Sequence, residues 1–424
     1  MVKQKKQIAQ SRPLIAFDLG GDSIRAMAAE YTNEGLLRVL GVETSDLKQC
    51  VDRGIITSTG DAGYVINETL KKLANRIHEK ELPSVFVCLG GKTMQITEVS
   101  ARRDQIRKKE VTEQLLDDME KECKDKIEQK NPNIAVLDLI PSFYVLDGSE
   151  QDETPESHQR AALVEGHYTA FVGQQELETK VKKSFQQATK YIEHAYVRPD
   201  ALFCALTEED DPQRGCAIID MGAHTTTLSI YKGNQYLYTK VIPQGGYDIT
   251  MDIARRGTTI PFAEKLKCEY GMAMPQLIST NYRYRVASTD PAQRELVITT
   301  EELAQTIYTR LEEMMTPLLN TVNTYSDRIG LLYITGGASM LQGILDYIET
   351  KVTIPVLYGS HARFLTSDTP DEMCYPNYSS LIGTLLLGAH YRQTHPQLVV
   401  DNGKFRKMLN DLAETTIGIF TDSY

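Results

Sequence analysis

The feature that most constrains this chain is a hairpin that occurs twice: an apolar strand ending at an aspartate, a glycine-bearing turn, and a second strand. Leu14 to Leu19 runs into Gly20 and Gly21, with Asp18 near the strand end and Ser23 opening the next strand. About 200 residues later, Ala217 to Asp220 runs into Met221, Gly222, Ala223 and His224, and a second strand of Thr225, Thr226, Thr227, Leu228, Ser229, Ile230 and Tyr231 follows. One such turn is ordinary hairpin punctuation. Two, each with a carboxylate at the same point, predict an α/β fold of two related halves whose turns face one cleft. Backbone N–H groups at glycine turns suit an anion.

A third punctuated region points to the same cleft. Thr299 and Glu302 form a capping box at the start of a helix expected over Glu301 to about Met315, which Pro317 should bend or restart. Leu331 to Thr335 then reads as a strand delivering Gly336, Gly337 and Ala338 to a helix beginning near Ser339. Bare backbone there lets a flat ring or a phosphate approach. A triphosphate between the two hairpin turns would be gripped from both sides. Asp18 and Asp220 would hold Mg²⁺ mostly through water, and Ser23, Thr225 and Thr226 would add hydroxyl donors.

Between the hairpins, Leu115, Leu116, Met119, Cys123 and Ile127 recur at helical spacing within Ile106 to Lys130, which predicts an amphipathic surface helix. Ile134 to Leu146 is strand-like, and the polar, acidic stretch Gly148 to Arg160 predicts an exposed loop. Phe86 to Glu165 thus reads as a small α+β insertion. The expected organisation is a basic tail (1–11), a first lobe (12–85 and 166–214) interrupted by that insertion (86–165), and a second lobe. The second lobe comprises 215–254, an upper subdomain 255–324, and 325–374. A closing helix (375–392), a linker (393–403) and a terminal helix (404–420) follow.

Composition narrows the partners. Forty-six basic against 57 acidic residues give a formal charge of −11 over 424 residues, which argues against nucleic acid. The seven cysteines are scattered without a C-x-x-C pair, so neither a disulfide framework nor a zinc site is indicated, and a reducing cytoplasm fits. The longest apolar stretch, around Leu381 to Ala389, falls well short of the ~18 residues that span a bilayer, so any membrane contact is expected to be peripheral.

On these motifs the chain resembles the actin-like ATPase superfamily, which includes actin, sugar kinases, heat-shock chaperones and bacterial filament proteins. IAFDLGGDSIRA is similar to the first phosphate motif, AIIDMGAHTTTLSIY to the second, LYITGGASMLQGI to the adenosine motif and SSLIGTLLLGA to the closing helix. KVIPQGGYDITMDIARRGTTIPFAEKLKCEYGMA resembles the FtsA family of bacterial cell-division proteins in particular. The resemblance implies an actin-like fold with a small α+β subdomain inserted in the first lobe. It also implies ATP with Mg²⁺ as ligands and a nucleotide site that includes Gly245 and Gly246. Glu264 and Lys267 would contact ribose and adenine, with Gly336 and Gly337 on the far side of the base. Three residues apart on a helix, Glu264 and Lys267 share one face, as that role needs.

Two departures bear on activity. Many superfamily members carry Glu-Pro before the second phosphate motif, where the glutamate orients the attacking water; here Arg198 precedes Pro199. Arginine cannot accept that proton, so slow or absent hydrolysis is expected unless Asp200 substitutes. Gly21 stands where relatives usually have a hydroxyl residue, removing a donor worth about 1 kcal/mol. The acidic stretch Gly148 to Arg160 also differs from the family's usual proline- and glycine-containing segment.

Residues 404–420 form an amphipathic pattern. Phe405, Met408, Leu409, Leu412, Ile419 and Phe420 fall within an arc of about 120°, with Arg406 and Lys407 near the start of the opposite face. The resemblance implies a helix that binds inner-membrane lipid, here on a short tether. It further implies self-association into filaments, docking of the C-terminal peptide of the tubulin-like protein FtsZ around Arg255 to Thr324, recruitment of later division proteins, and a place on the cytoplasmic face of the inner membrane at midcell. The competing expectations are an actin-like adaptor of pilus or secretion machinery and a chaperone- or kinase-type ATPase.

Overall fold

The computed structural model describes residues 12–395, apart from 22, 48–49, 157, 234, 288 and 290–294. Its framework is a five-strand pattern used twice. In the first sheet the order is Ile192–Val197, Val85–Leu89, Leu14–Leu19, Ser23–Tyr31, Leu37–Asp46. In the second, Val356–Tyr358, Leu331–Thr335, Cys216–Met221, Thr226–Lys232 and Gln235–Ile242 follow the same order. In both, three parallel strands meet an antiparallel hairpin, so Asp18 lies beside Cys88 and Asp220 beside Thr335. The strands Leu14–Leu19 and Cys216–Met221 are buried throughout, as parallel-sheet strands covered on both faces are.

The second sheet continues past Gln235–Ile242, through the single register pair Lys240–Gln95, into Gln95–Glu110, Arg160–Gln174, Ile134–Leu146 and Ser149–Gln151. Phe86 itself belongs to the first sheet. The expected helix begins at Glu113, not Ile106, and ends at Lys130, as expected. Thr112 caps it, accepting from the Leu115 amide at 3.2 Å, while Ile106 lies fully exposed on the long strand Gln95–Glu110. Pairing to Arg160–Gln174 up to Asp104 and again at Lys109 and Glu110, around a bulge that holds Ile106, overrides the local charge pattern. Leu116, Met119 and Cys123 are buried against this layer, as their spacing predicts. The acidic stretch is exposed but not wholly irregular, since Ser149–Gln151 pairs back onto Tyr144 to Leu146.

Two further expectations are corrected. Pro317 does not restart the helix: it sits inside one continuous helix, Thr300–Thr324, where Met314, Met315, Leu318, Leu319 and Val322 are all buried, and packing on both sides offsets the hydrogen bond that proline removes. After Leu331–Thr335, Gly337–Met340 is a single 3₁₀ turn, and the α-helix starts only at Ile344. The Thr299–Glu302 capping box is present, with amide-to-side-chain bonds of 2.9 and 3.2 Å.

The halves share apolar core at the base of the cleft: Ile218, Tyr231, Tyr236 and Tyr333 of the second pack into the cluster built on the first. The helix Ser379–Thr394 lies against Arg198–Leu206 so closely that a Cβ on Gly383 would collide with the Ala201 carbonyl. That close approach carries the N-terminus of the closing helix to the cleft.

Candidate nucleotide site between the two hairpins

The two turns are closed by the same backbone hydrogen bond. The Gly20 amide donates to the Ser23 carbonyl at 2.9 Å, and the Gly222 amide to the Thr225 carbonyl at 2.9 Å. A Cβ on Gly21 would lie 2.7 Å from the His224 ring, so the turns face each other with Gly21 giving His224 room. His224 in turn packs on Tyr247, ring centroids 4.6 Å apart.

Asp18 and Asp220 converge on one side chain, Arg198. Its Nη1 donates to Asp18 Oδ2 at 3.1 Å and its Nη2 to Oδ1, while Nε stands 3.9 Å from Asp220 Oδ2. Ser380, at the start of the closing helix, donates to Asp18 Oδ2 at 2.8 Å. A Cβ on Gly90 would lie 2.8 Å from Arg198 Nε, so bare backbone leaves the arginine its place. Burial alone would raise the pKa of Asp18, but the guanidinium and the Ser380 hydroxyl outweigh it and hold the carboxyl below its ordinary value. At Asp220 burial prevails over the more distant Arg198, and its pKa is raised.

Other expected residues divide into those facing the cleft and those building it. Thr226 is buried and donates to the Gln244 carbonyl at 2.9 Å, so its hydroxyl is committed to the hairpin and not to a phosphate. The Gly246 and Tyr247 amides donate to the Gly222 and Ala223 carbonyls at 3.0 and 2.8 Å, while the Gly245 amide donates to Asp248 at 2.8 Å. Gly245 and Gly246 therefore buttress the second turn. Asp200, the carboxyl beside Pro199, accepts from the Tyr236 hydroxyl at 2.8 Å, and burial raises its pKa.

The residues expected to contact ribose and adenine form a compact cluster. Lys267 Nζ donates to Glu264 Oε2 at 2.8 Å, to Thr250 Oγ1 at 2.9 Å and to the Gly246 carbonyl at 3.0 Å. Burial works against the Glu264 charge, but Lys267 and Thr250 lower its pKa overall. Ala338 approaches from the other side, its Cβ 3.1 Å from where a Cβ on Gly246 would stand. Gly336, with φ of 87°, brings its backbone against Asp220 and Met221. A shallow hollow of about 480 Å³ lined by Pro275, Gln276, Glu301, Glu302 and Gln305 contains none of these residues.

Sequence reasoning passed over Ser380 and the pair Gly90 and Gly91, and read Arg198 in another role. Ser380 lies 362 residues from Asp18, and nothing local marks it. Arg198 was legible only as a lost glutamate. Gly90 and Gly91, which end the strand Val85–Leu89 as Gly336 and Gly337 end Leu331–Thr335, were a readable signal.

Two sheets of one order, each presenting an aspartate-bearing glycine hairpin to a common cleft, define the actin-like ATPase fold. A solved PilM–PilN type IV pilus biogenesis complex shares it, with a TM-score of 0.62 at 16% identity, covering 88% of this chain and 98% of that one. Within that class the chain is similar to cell division protein FtsA. The family model of that description matches residues 217–383. Cell division protein FtsA of Streptococcus pneumoniae is 26% identical over 77% of this chain and 69% of its own length. That of Pseudomonas aeruginosa is 24% identical over 90% of each.

Proposed function

We propose that this chain is an ATP-binding, actin-like cell-division scaffold that polymerises at the inner membrane, tethers the FtsZ ring to it at midcell and recruits later division proteins. The observation that carries the reading is the meeting of Asp18 and Asp220 at the mouths of two turns closed by the same hydrogen bond, in a chain similar to FtsA. ATP would lie between the turns, its base against Lys267, Glu264 and Ala338. Closing the lobes on ATP favours one conformation and so head-to-tail contacts between copies. Hydrolysis is weak or absent in this reading, because the position before Pro199 carries a cation and Asp200 is committed to Tyr236.

The membrane residues Phe405, Met408, Leu409, Leu412, Ile419 and Phe420 and the basic tail lie outside the described residues. Among the described residues no helix is long and apolar enough to cross a membrane. One short amphipathic helix binds weakly, but many on a filament bind through effective concentration. For the FtsZ peptide, the upper subdomain offers exposed Phe262, Tyr270 and Tyr282, aromatic surface of the kind that anchors a docked peptide. Liposome co-sedimentation of full chain and of chain lacking 404–424 tests the tether: loss of sedimentation on truncation is expected, and unchanged sedimentation overturns it.

The fold likeness to the PilM–PilN complex favours a second reading, an adaptor of pilus machinery. Imaging a labelled copy separates the two, since a midcell ring is expected only of the division scaffold. A turnover assay with Mg-ATP tests a third, a true ATPase, which steady hydrolysis well above about one per minute would favour.

A further inference from the structure

We infer that Arg198 is the resident cation of the phosphate site and takes the place of the hydrated Mg²⁺ expected between Asp18 and Asp220, so that ATP binds this chain without a divalent metal. The inference rests on the nucleotide reading above.

The residues present do not fit Mg²⁺ held in the expected way. A hydrated Mg²⁺ keeps ligands at about 2.0–2.1 Å in a near-octahedral shell, and its outer waters need carboxylate lone pairs to donate to. Asp18 has committed both oxygens: Oδ1 to Nη2, and Oδ2 to Nη1 at 3.1 Å and to Ser380 at 2.8 Å. Asp220 Oδ2 faces the same guanidinium, and its Oδ1 lies against the Gly336 backbone. The volume between the two carboxylates is therefore occupied by a fixed positive charge, which repels a second cation.

The chain has been shaped around this arginine. Gly90 leaves space at Nε, Ser380 from the closing helix completes Asp18, and Arg198 begins the helix Arg198–Leu206 directly after the strand Ile192–Val197. The side chain keeps 15% of its surface exposed, against 3% for Asp18. Two of its five N–H donors are used on Asp18, leaving N–H groups on the same planar fork for a phosphate oxygen. Without a cation here, two carboxylates would face the triphosphate and repel it. The guanidinium removes that repulsion and supplies charge-assisted donors.

The test is equilibrium ATP binding by isothermal titration calorimetry on the full chain, in excess MgCl₂ and in excess EDTA. The wild type is expected to bind with dissociation constants within about threefold of each other in the two buffers. R198A is expected to weaken binding in EDTA by about tenfold or more and to recover part of it with Mg²⁺, while R198K, a point charge without the fork, falls between. Wild-type binding that is lost in EDTA overturns the inference and leaves the nucleotide reading standing; binding in neither buffer overturns both. R198A or R198K that binds in EDTA as the wild type does also overturns it. Circular dichroism melts check that each variant is folded, and the wild-type comparison decides the question even if R198A is not.

Discussion

The two lobes present the same hairpin, with the same turn hydrogen bond at the same length, yet they treat their aspartates oppositely. Asp18 is clamped by two guanidinium N–H groups and a serine hydroxyl and is held ionised. Asp220 is only approached by Arg198 at 3.9 Å, and burial pushes its pKa up. The backbone repeat fixes where a carboxylate stands, whereas the neighbours that each lobe recruits decide its charge.

The largest expected effect that sharpens this contrast is on stability. D18A leaves Arg198 buried without its main partner and should cost about 3–5 kcal/mol by chemical denaturation, whereas D220A should cost under about 1 kcal/mol. Equal losses would break the comparison. Next, G336A forces a side chain into positive φ against Asp220 and Met221 and should cost about 2–3 kcal/mol. G90A, whose added methyl meets the Arg198 side chain instead of backbone, should cost less.

A third effect is on affinity. K267A removes the ammonium that joins Glu264, Thr250 and the Gly246 carbonyl, and should weaken ATP binding about five- to tenfold, measured by calorimetry at fixed Mg²⁺. The smallest effect is a pH signature. With its pKa depressed, Asp18 contributes stability that is present above the usual aspartate range and lost as pH falls through its lowered value. With its pKa raised, Asp220 contributes stability present below that range and lost as pH rises through its raised value. D220N should therefore flatten the loss of stability on the rise from roughly pH 4, and D18N should remove part of the acid limb. Identical pH profiles for the two variants would show that Arg198 serves both carboxylates alike.

Much of the framework was legible because its signals are local. The strand Leu331–Thr335, the strand Ile134–Leu146, the capped start of Thr300–Thr324 and the buried face of Leu116, Met119 and Cys123 each follow from periodicity and capping over a few residues. The errors came where distant packing overrode local preference. Ile106 joined a strand because Arg160–Gln174 pairs with that strand on either side of it, and Pro317 stayed helical because apolar neighbours on both sides are buried. Within the site, Thr226 read as a donor to the cleft because its own strand shows nothing of the Gln244 carbonyl that claims its hydroxyl.

By itself the sequence determined that two aspartate-glycine turns exist, since glycine's freedom and strand alternation act over neighbouring residues. Only the tertiary structure decided what lies between them. Arg198 is 180 residues from Asp18 and Ser380 is 362, and their meeting depends on the closing helix packing against Arg198–Leu206 through Gly383. Electrostatics in a buried cleft acts through space and not along the chain, so an arginine that looked like a lost catalytic glutamate proves to be the cation that two lobes share.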